Sequence, residues 1–166
     1  KNDFLLDLST CQAVDYNGFI GRTDVPSKED NKENVLIRLS PYVYGLSDEV
    51  FGSDELMALF TANDMRRQLF FGDSIYSTVF EKPLWRPWLE QNLGVTTPEM
   101  YLIAAECEAR VGSVGRAMDL LNKLRDNRIV GNTPLVAVNK DEALKLVLDE
   151  RRREFALTGL TRFIDL

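Results

Sequence analysis

Between residues 70 and 92 the chain crowds flat aromatic faces among hydrogen-bonding side chains: Tyr76, Trp85, Arg86, Trp88, Gln91 and Asn92. A Trp or Tyr ring can cover the apolar C–H face of a pyranose while Arg, Gln and Asn bond the hydroxyls around it. That mixture is the chemistry of a saccharide site. The same aromatics would also serve to anchor an irregular loop on a scaffold, and residue type alone does not choose between the two. Tyr42 and Tyr44, alternating with Val43 after Pro41, form a second candidate pair for ligand contact.

A second constellation is charged: Glu106, Arg151, Glu154, Arg162 and Asp165. Carboxylates beside arginines recur in active sites, yet ion pairing that holds helices together is the simpler reading. A guanidinium cannot be neutralised, so an arginine on an apolar helix face needs a carboxylate partner. Arg151 falls on the same face as Leu144, Val147, Leu148 and Phe155. The expectation is that it reaches Glu106 across the helix packing, or Asp165 beyond a turn at Gly159. Glu154 and Asp165 are also close enough in sequence to answer Arg162.

Several chemistries are excluded. The chain has no histidine, so triads and dyads that need an imidazole base cannot be built within it. Cys11 and Cys107 are the only cysteines, too few for a zinc framework, and are expected as free thiols, Cys107 buried as a small apolar residue. No acidic loop with alternating oxygen ligands suggests calcium, so no metal and no cofactor is expected. With 26 Asp plus Glu, some carboxylate pair will always satisfy glycosidase spacing, and that signal carries no weight. A net charge of −6 is the wrong sign for a sequence-independent nucleic-acid binder. No apolar run reaches the length of a membrane span.

The elements that must position these residues change character along the chain. Residues 1–34 read as loop or linker, with a short apolar patch at Phe4, Leu5, Leu6 and Leu8 followed by polar, Gly- and Pro-punctuated sequence. Residues 35–39 form a β-favouring run that predicts a short strand. Ser53 can cap a helix carrying Leu56, Met57, Leu59 and Phe60. Residues 64–96 read as irregular, because Pro83 and Pro87 forbid a long helix. Beyond them, Thr97, Pro98 and Glu99 open a helix on which Met100, Ile103, Ala104, Cys107 and Val111 repeat at helical spacing until Gly112. Ser113 caps the next helix, with Ala117, Leu120, Leu121 and Leu124 inward, giving an antiparallel hairpin. Two four-residue intervals, Tyr101 to Ala105 and Ala117 to Leu121, match a tetratricopeptide unit in degenerate form. Asn139 and Glu142 start a last long helix, which Gly159 can end.

At this point the segments resemble a family. TPEMYLIAAECEARVG (97–112), AMDLLNKLRDNR (117–128) and LDERRREFALTGLTRFIDL (148–166) are similar to the C-terminal part of the SusD/RagB proteins of Bacteroidetes. ENVLIRLSPY from residue 33 and SDELMALFTANDMRRQLFF from residue 53 agree in order. The resemblance covers residues 33–166, and the last block is its most specific part. It implies a mainly α fold: a tetratricopeptide-like hairpin plus a long C-terminal helix, with irregular segments and one short strand or hairpin. Residues 35–166 would be one SusD-like helical region and a piece of a larger domain.

The resemblance also implies a lipid-anchored, surface-exposed outer-membrane binding protein, not an enzyme. Such a protein passes an oligosaccharide or other nutrient to a TonB-dependent, SusC-like transporter. The chain itself would be soluble. It lacks the family's lipidated N-terminal cysteine, and Cys11, preceded by Ser9 and Thr10, does not read as that site. The competing reading is a tetratricopeptide-like docking scaffold with no ligand site of its own. Where Trp85 and Trp88 point discriminates the two.

Overall fold

The computed structural model describes residues 4–16, 19–23, 25–27, 29–38, 50–75, 78–85, 92 and 94–156. A 3-10 turn, Leu8–Thr10, leads into an antiparallel hairpin of β1 (Gln12–Tyr16) and β2 (Phe19–Thr23), with Gln12 opposite Thr23 and Tyr16 opposite Phe19. Then follow α1 (Asp54–Met57), α2 (Met65–Phe70), β3 (Phe71–Ile75), β4 (Thr78–Trp85), α3 (Thr97–Arg110), α4 (Val114–Arg125) and α5 (Lys140–Glu154). The fold is mainly helical, with the long helices gathered in the C-terminal part and small antiparallel sheets before them.

Local chemistry explains the helix ends. The Thr96 hydroxyl accepts from the N–H of Glu99 at 3.4 Å, so the cap stands one residue before the expected Thr97, and Pro98 occupies the first turn where its missing N–H costs nothing. Ser113 caps α4 and Ser53 caps α1, as their positions suggest. Asn139 Oδ1 accepts from Glu142 N at 2.9 Å, while Glu142 Oε2 accepts from Val138 N at 2.8 Å, a reciprocal box displaced by one residue. α5 stops at Glu154, with Phe155 as its C-cap, earlier than Gly159, which lies outside the described residues.

Helices α3 and α4 pack as an antiparallel hairpin and α5 lies chiefly along α3. Their shared core is Leu102, Ala105 and Ala109 against Ala117, Met118, Leu121, Leu124, Ala143 and Val147, with Leu5 of the N-terminal segment inserted. The face of α3 therefore differs from the apolar repeat at Met100, Ile103 and Val111, which stay 53%, 49% and 84% exposed, and Cys107 is exposed rather than buried. The tetratricopeptide-like spacing marks the true face. Small residues at Ala105, Ala109 and Ala117 let the helix axes approach, while Met100, Ile103 and Val111 are turned outward.

Three further expectations are corrected. Residues 35–38 do not form a strand: Asn34 makes a single bridge to Thr96, and the N–H groups of Val35 and Leu36 both reach Val95 O at 3.1 Å. Val35, Leu36 and Ile37 are 62%, 59% and 40% exposed, so among the described residues β propensity there finds no second strand or core to pack against. Residues 64–96, read as irregular, hold α2 and the β3–β4 hairpin. That hairpin changes register between Gly72 and Ser74, and Pro83 sits in its irregular arm, donating nothing while its carbonyl accepts from Gly52 N at 2.9 Å. The polar sequence of residues 1–34 contains the β1–β2 hairpin, and its Leu8 and Cys11 enter a second core with Leu56, Leu69, Phe70, Phe71 and Ala156.

Candidate functional site

Of the aromatic and polar candidates, the described residues include Trp85 and Asn92; Tyr42, Tyr44, Tyr76, Arg86, Trp88 and Gln91 lie outside them. Trp85 ends β4 opposite Phe71 and packs half-buried on the second core, its N–H bonded to Val50 O at 2.8 Å. Its indole Nε1 is enclosed with no hydrogen-bond partner. Asn92 is spent on its own loop. Its Nδ2 donates to Asn34 Oδ1 (3.1 Å) and Leu36 O (2.8 Å), and its Oδ1 accepts from Arg38 N (2.8 Å) and Gly94 N (2.9 Å). With both donors and both lone pairs used, this amide fixes the approach to α3 rather than offering bonds to a ligand.

The charged residues are distributed otherwise than the sequence suggests. Glu106 is held by Arg110 one turn along α3, an exposed pair at 2.7 Å. Arg151 is half-buried, with its guanidinium 5.4 Å from the centre of the Phe155 ring, a cation–π distance. Arg162 and Asp165 fall outside the described residues. Glu154 is the member of the set that lies at the heart of a buried network.

That network joins four carboxylates to four guanidiniums. Asp64, the N-cap of α2, accepts from Arg66 N and forms a two-pronged pair with the same guanidinium, at 2.9 Å from Nε and 2.7 Å from Nη2. Arg66 Nη1 continues to Glu154 Oε2 at 2.9 Å. Glu150 Oε1 lies 2.6 Å from Arg66 Nη2 but off its N–H direction, an electrostatic contact rather than a hydrogen bond. Glu150 Oε2 accepts from Arg125 at 2.8 Å and from Arg153. Arg128 grips Glu154 through Nε and Nη2, reaches Glu33 Oε1 at 2.9 Å, and donates from Nη1 to Leu6 O at 2.8 Å. Glu33 in turn accepts from Leu6 N at 2.7 Å.

Electrostatics follow from the enclosure. Burial alone would raise Glu150, but Arg66, Arg153 and Arg125 more than reverse it, holding the carboxyl at about 2. Burial would likewise raise Glu154, slightly more exposed, but Arg128 and Arg66 lower it. Glu33 goes the other way: burial, helped by the charge of Glu154, outweighs the single guanidinium of Arg128 and raises it. Burial opposes the charge on Arg66 and Arg128, yet their carboxylate partners hold both more firmly protonated than a free arginine.

Paired, bonded and sealed from solvent, these groups have no open position for a substrate, and their chemistry is structural. Sequence reading missed most of them because it sought charges on predicted apolar stripes. A usable signal was present: Asp64 and Arg66 share one helix start, and Glu150, Arg153 and Glu154 repeat at three and four residues on one face of α5. Among the described residues no group of three or more His, Cys, Asp or Glu side chains could hold a metal ion.

The chain is mainly helical, with a tetratricopeptide-like hairpin locked to a long helix and buried ion pairs at its base. Residues 97–166 match the model of the SusD family, consistent with the resemblance of this segment to the C-terminal part of SusD/RagB proteins. The family consists of outer-membrane nutrient-binding lipoproteins, which bind rather than catalyse. No curated protein and no solved structure matches the chain. Among the described residues, no helix is long and apolar enough to cross a membrane.

Proposed function

We propose that this chain is part of a surface-exposed protein that captures glycans or related nutrients for an outer-membrane, TonB-dependent transporter of the SusC type. The family match over α3, α4 and α5 carries this reading. The helical core is the scaffold, and the ligand-facing residues fall within 70–92, with Tyr76, Arg86, Trp88 and Gln91 as the contacting side chains and Tyr42 and Tyr44 as a second set. Trp85 is the anchor of that segment, since its ring packs on the second core. The parent protein would be lipid-anchored at the cell surface. A docking scaffold without a ligand site is the second reading, favoured by the half-burial of Trp85 and by the fully used amide of Asn92.

Tryptophan fluorescence separates the two, because the chain has only two tryptophans and both lie within this segment. Titration with soluble oligosaccharides should give a saturable change that Trp88→Phe reduces, with Trp85 less accessible to acrylamide than Trp88. A silent signal across the panel would favour the scaffold.

A further inference from the structure

The outward face of α3 carries an apolar stripe left in water among the described residues: Met100, Ile103, Cys107 and, at the C-cap, Val111. At about 100° per residue these four fall within roughly 80° of arc and run about 17 Å along the axis. Ala105 and Ala109, which take the contact with α4 and α5, lie on the opposite side. Val95, exposed just before α3, prolongs the stripe, and Leu36 is held beside it through its N–H bond to Val95 O. The four stripe residues leave roughly 400 Å² of largely apolar surface uncovered, in the range of the largest patch on an ordinary monomer and of surfaces that bind other proteins.

Charges at the two ends of this face select what fits it. Glu99 in the first turn of α3 and Arg110 in the last stand on one flank of the stripe, roughly 20° apart around the axis. In an antiparallel helix pair, flanks of like position meet. A second α3 laid antiparallel therefore brings its Arg110 to Glu99 and its Glu99 to Arg110. A parallel copy would set like charges together at both ends. To within one residue, the same alignment puts Ile103 against Cys107 of the second copy and Met100 against its Val111, so apolar surface meets apolar surface along the whole stripe. Glu106 falls near the centre, where it would face its own image, but Arg110 already neutralises it at 2.7 Å and keeps half of its own side chain in solvent for a further carboxylate.

We propose that α3 is a self-association surface, on which two copies of this chain pack antiparallel about a twofold axis between Ile103 and Cys107. With the flanking charges the pair buries about 1,000 Å² in all, the lower limit for a specific interface, which fits a reversible dimer rather than a permanent one. The surface lies on the scaffold itself and is independent of the ligand reading.

Sedimentation equilibrium of the whole chain from about 1 μM to 1 mM tests it, a span that brackets weak dimers. The average mass should climb from monomer toward dimer. Ile103→Glu should weaken association at least about tenfold by burying an unpaired charge, with unchanged circular dichroism because the residue replaced is half exposed. Val111→Glu, at the helix end, repeats that test where the fold depends on the side chain least. Glu99→Lys and Arg110→Glu should each weaken the dimer, and the two together should recover part of the loss. Cys107 gives an independent readout, since Cys11 is buried. A short bis-maleimide should join two chains through Cys107, and its reaction with a monofunctional reagent, free in the dilute monomer, should slow as the dimer forms. Monomer mass at every concentration would overturn the proposal. A dimer that both Ile103→Glu and Val111→Glu leave intact would overturn the surface. A dimer indifferent to the charge variants, or one that the double exchange does not recover, would overturn the antiparallel alignment.

Discussion

Glu150 shows how little of a charged residue's role its type reveals. It is fully enclosed and balances three guanidiniums, those of Arg66, Arg125 and Arg153. Glu150→Ala would leave those charges short of a counterion in a site without water access, and should cost about 3–5 kcal/mol in urea unfolding. Glu106→Ala, which removes an exposed pair one turn apart on α3, should cost under about 1 kcal/mol by the same measurement. Equal losses would show that the network is open to solvent. Gly94 is a second sensitive residue. A Cβ there would stand 1.8 Å from Leu36 O, a backbone atom that cannot swing aside. Gly94→Ala should therefore break the loop organised by Asn92 and destabilise the start of α3, seen as earlier hydrogen exchange at Val35 and Leu36.

At the scale of elements, the decisive question is helix phase. α3 turns Cys107 outward and buries Ala105 and Ala109, while Cys11 is sealed in the second core. A thiol reagent should thus modify Cys107 in the native protein at a rate close to that of a free thiol, and reach Cys11 only on unfolding; protection of both would place α3 in the other phase. The sequence made the helices, their caps and the α3–α4 hairpin legible, because Ser113, Pro98 and Asn139 act within one turn of themselves. The inner faces were less legible. On α3 Met100 and Ile103 point out, since the close helix contact selects alanine at 105 and 109. On α5 the inner face carries Glu150 and Arg153 beside Ala143 and Val147; of the expected apolar stripe Val147 is buried and Leu144 and Phe155 pack against the core, while Leu148 stays exposed. The β3–β4 hairpin was hidden by Pro83, whose register break tolerates a residue that regular pairing would not. Of the candidate site, the aromatic composition was visible, while the structural use of Asn92 depends on partners more than fifty residues away.

For the whole molecule, the network stitches together parts that are distant in sequence: Leu6 and Glu33, the start of α2, the chain leaving α4, and the last turn of α5. Its pH response follows from the signs. Glu150 falls from an ordinary 4.5 to about 2 in the folded chain, so its contribution is complete above 4.5 and lost as pH drops toward 2, of order 3 kcal/mol. Glu154 moves in the same direction. Glu33 is raised, so its ionisation opposes folding as pH climbs past 4.5 and its effect partly offsets the others. Stability followed by circular dichroism should fall steeply between pH 4.5 and 2, and Glu150→Gln should flatten that limb; an unchanged slope would mean the network does not govern acid stability.

The central proposal is that this chain, whose residues 97–166 match the SusD family model, belongs to a protein that holds its ligand without transforming it. The most direct test is calorimetric titration of the chain with a panel of oligosaccharides, followed by chromatography of the recovered sugars. Saturable heat with the sugars returned intact is the expected result. Absence of binding across the panel, or binding accompanied by cleavage, would contradict the account.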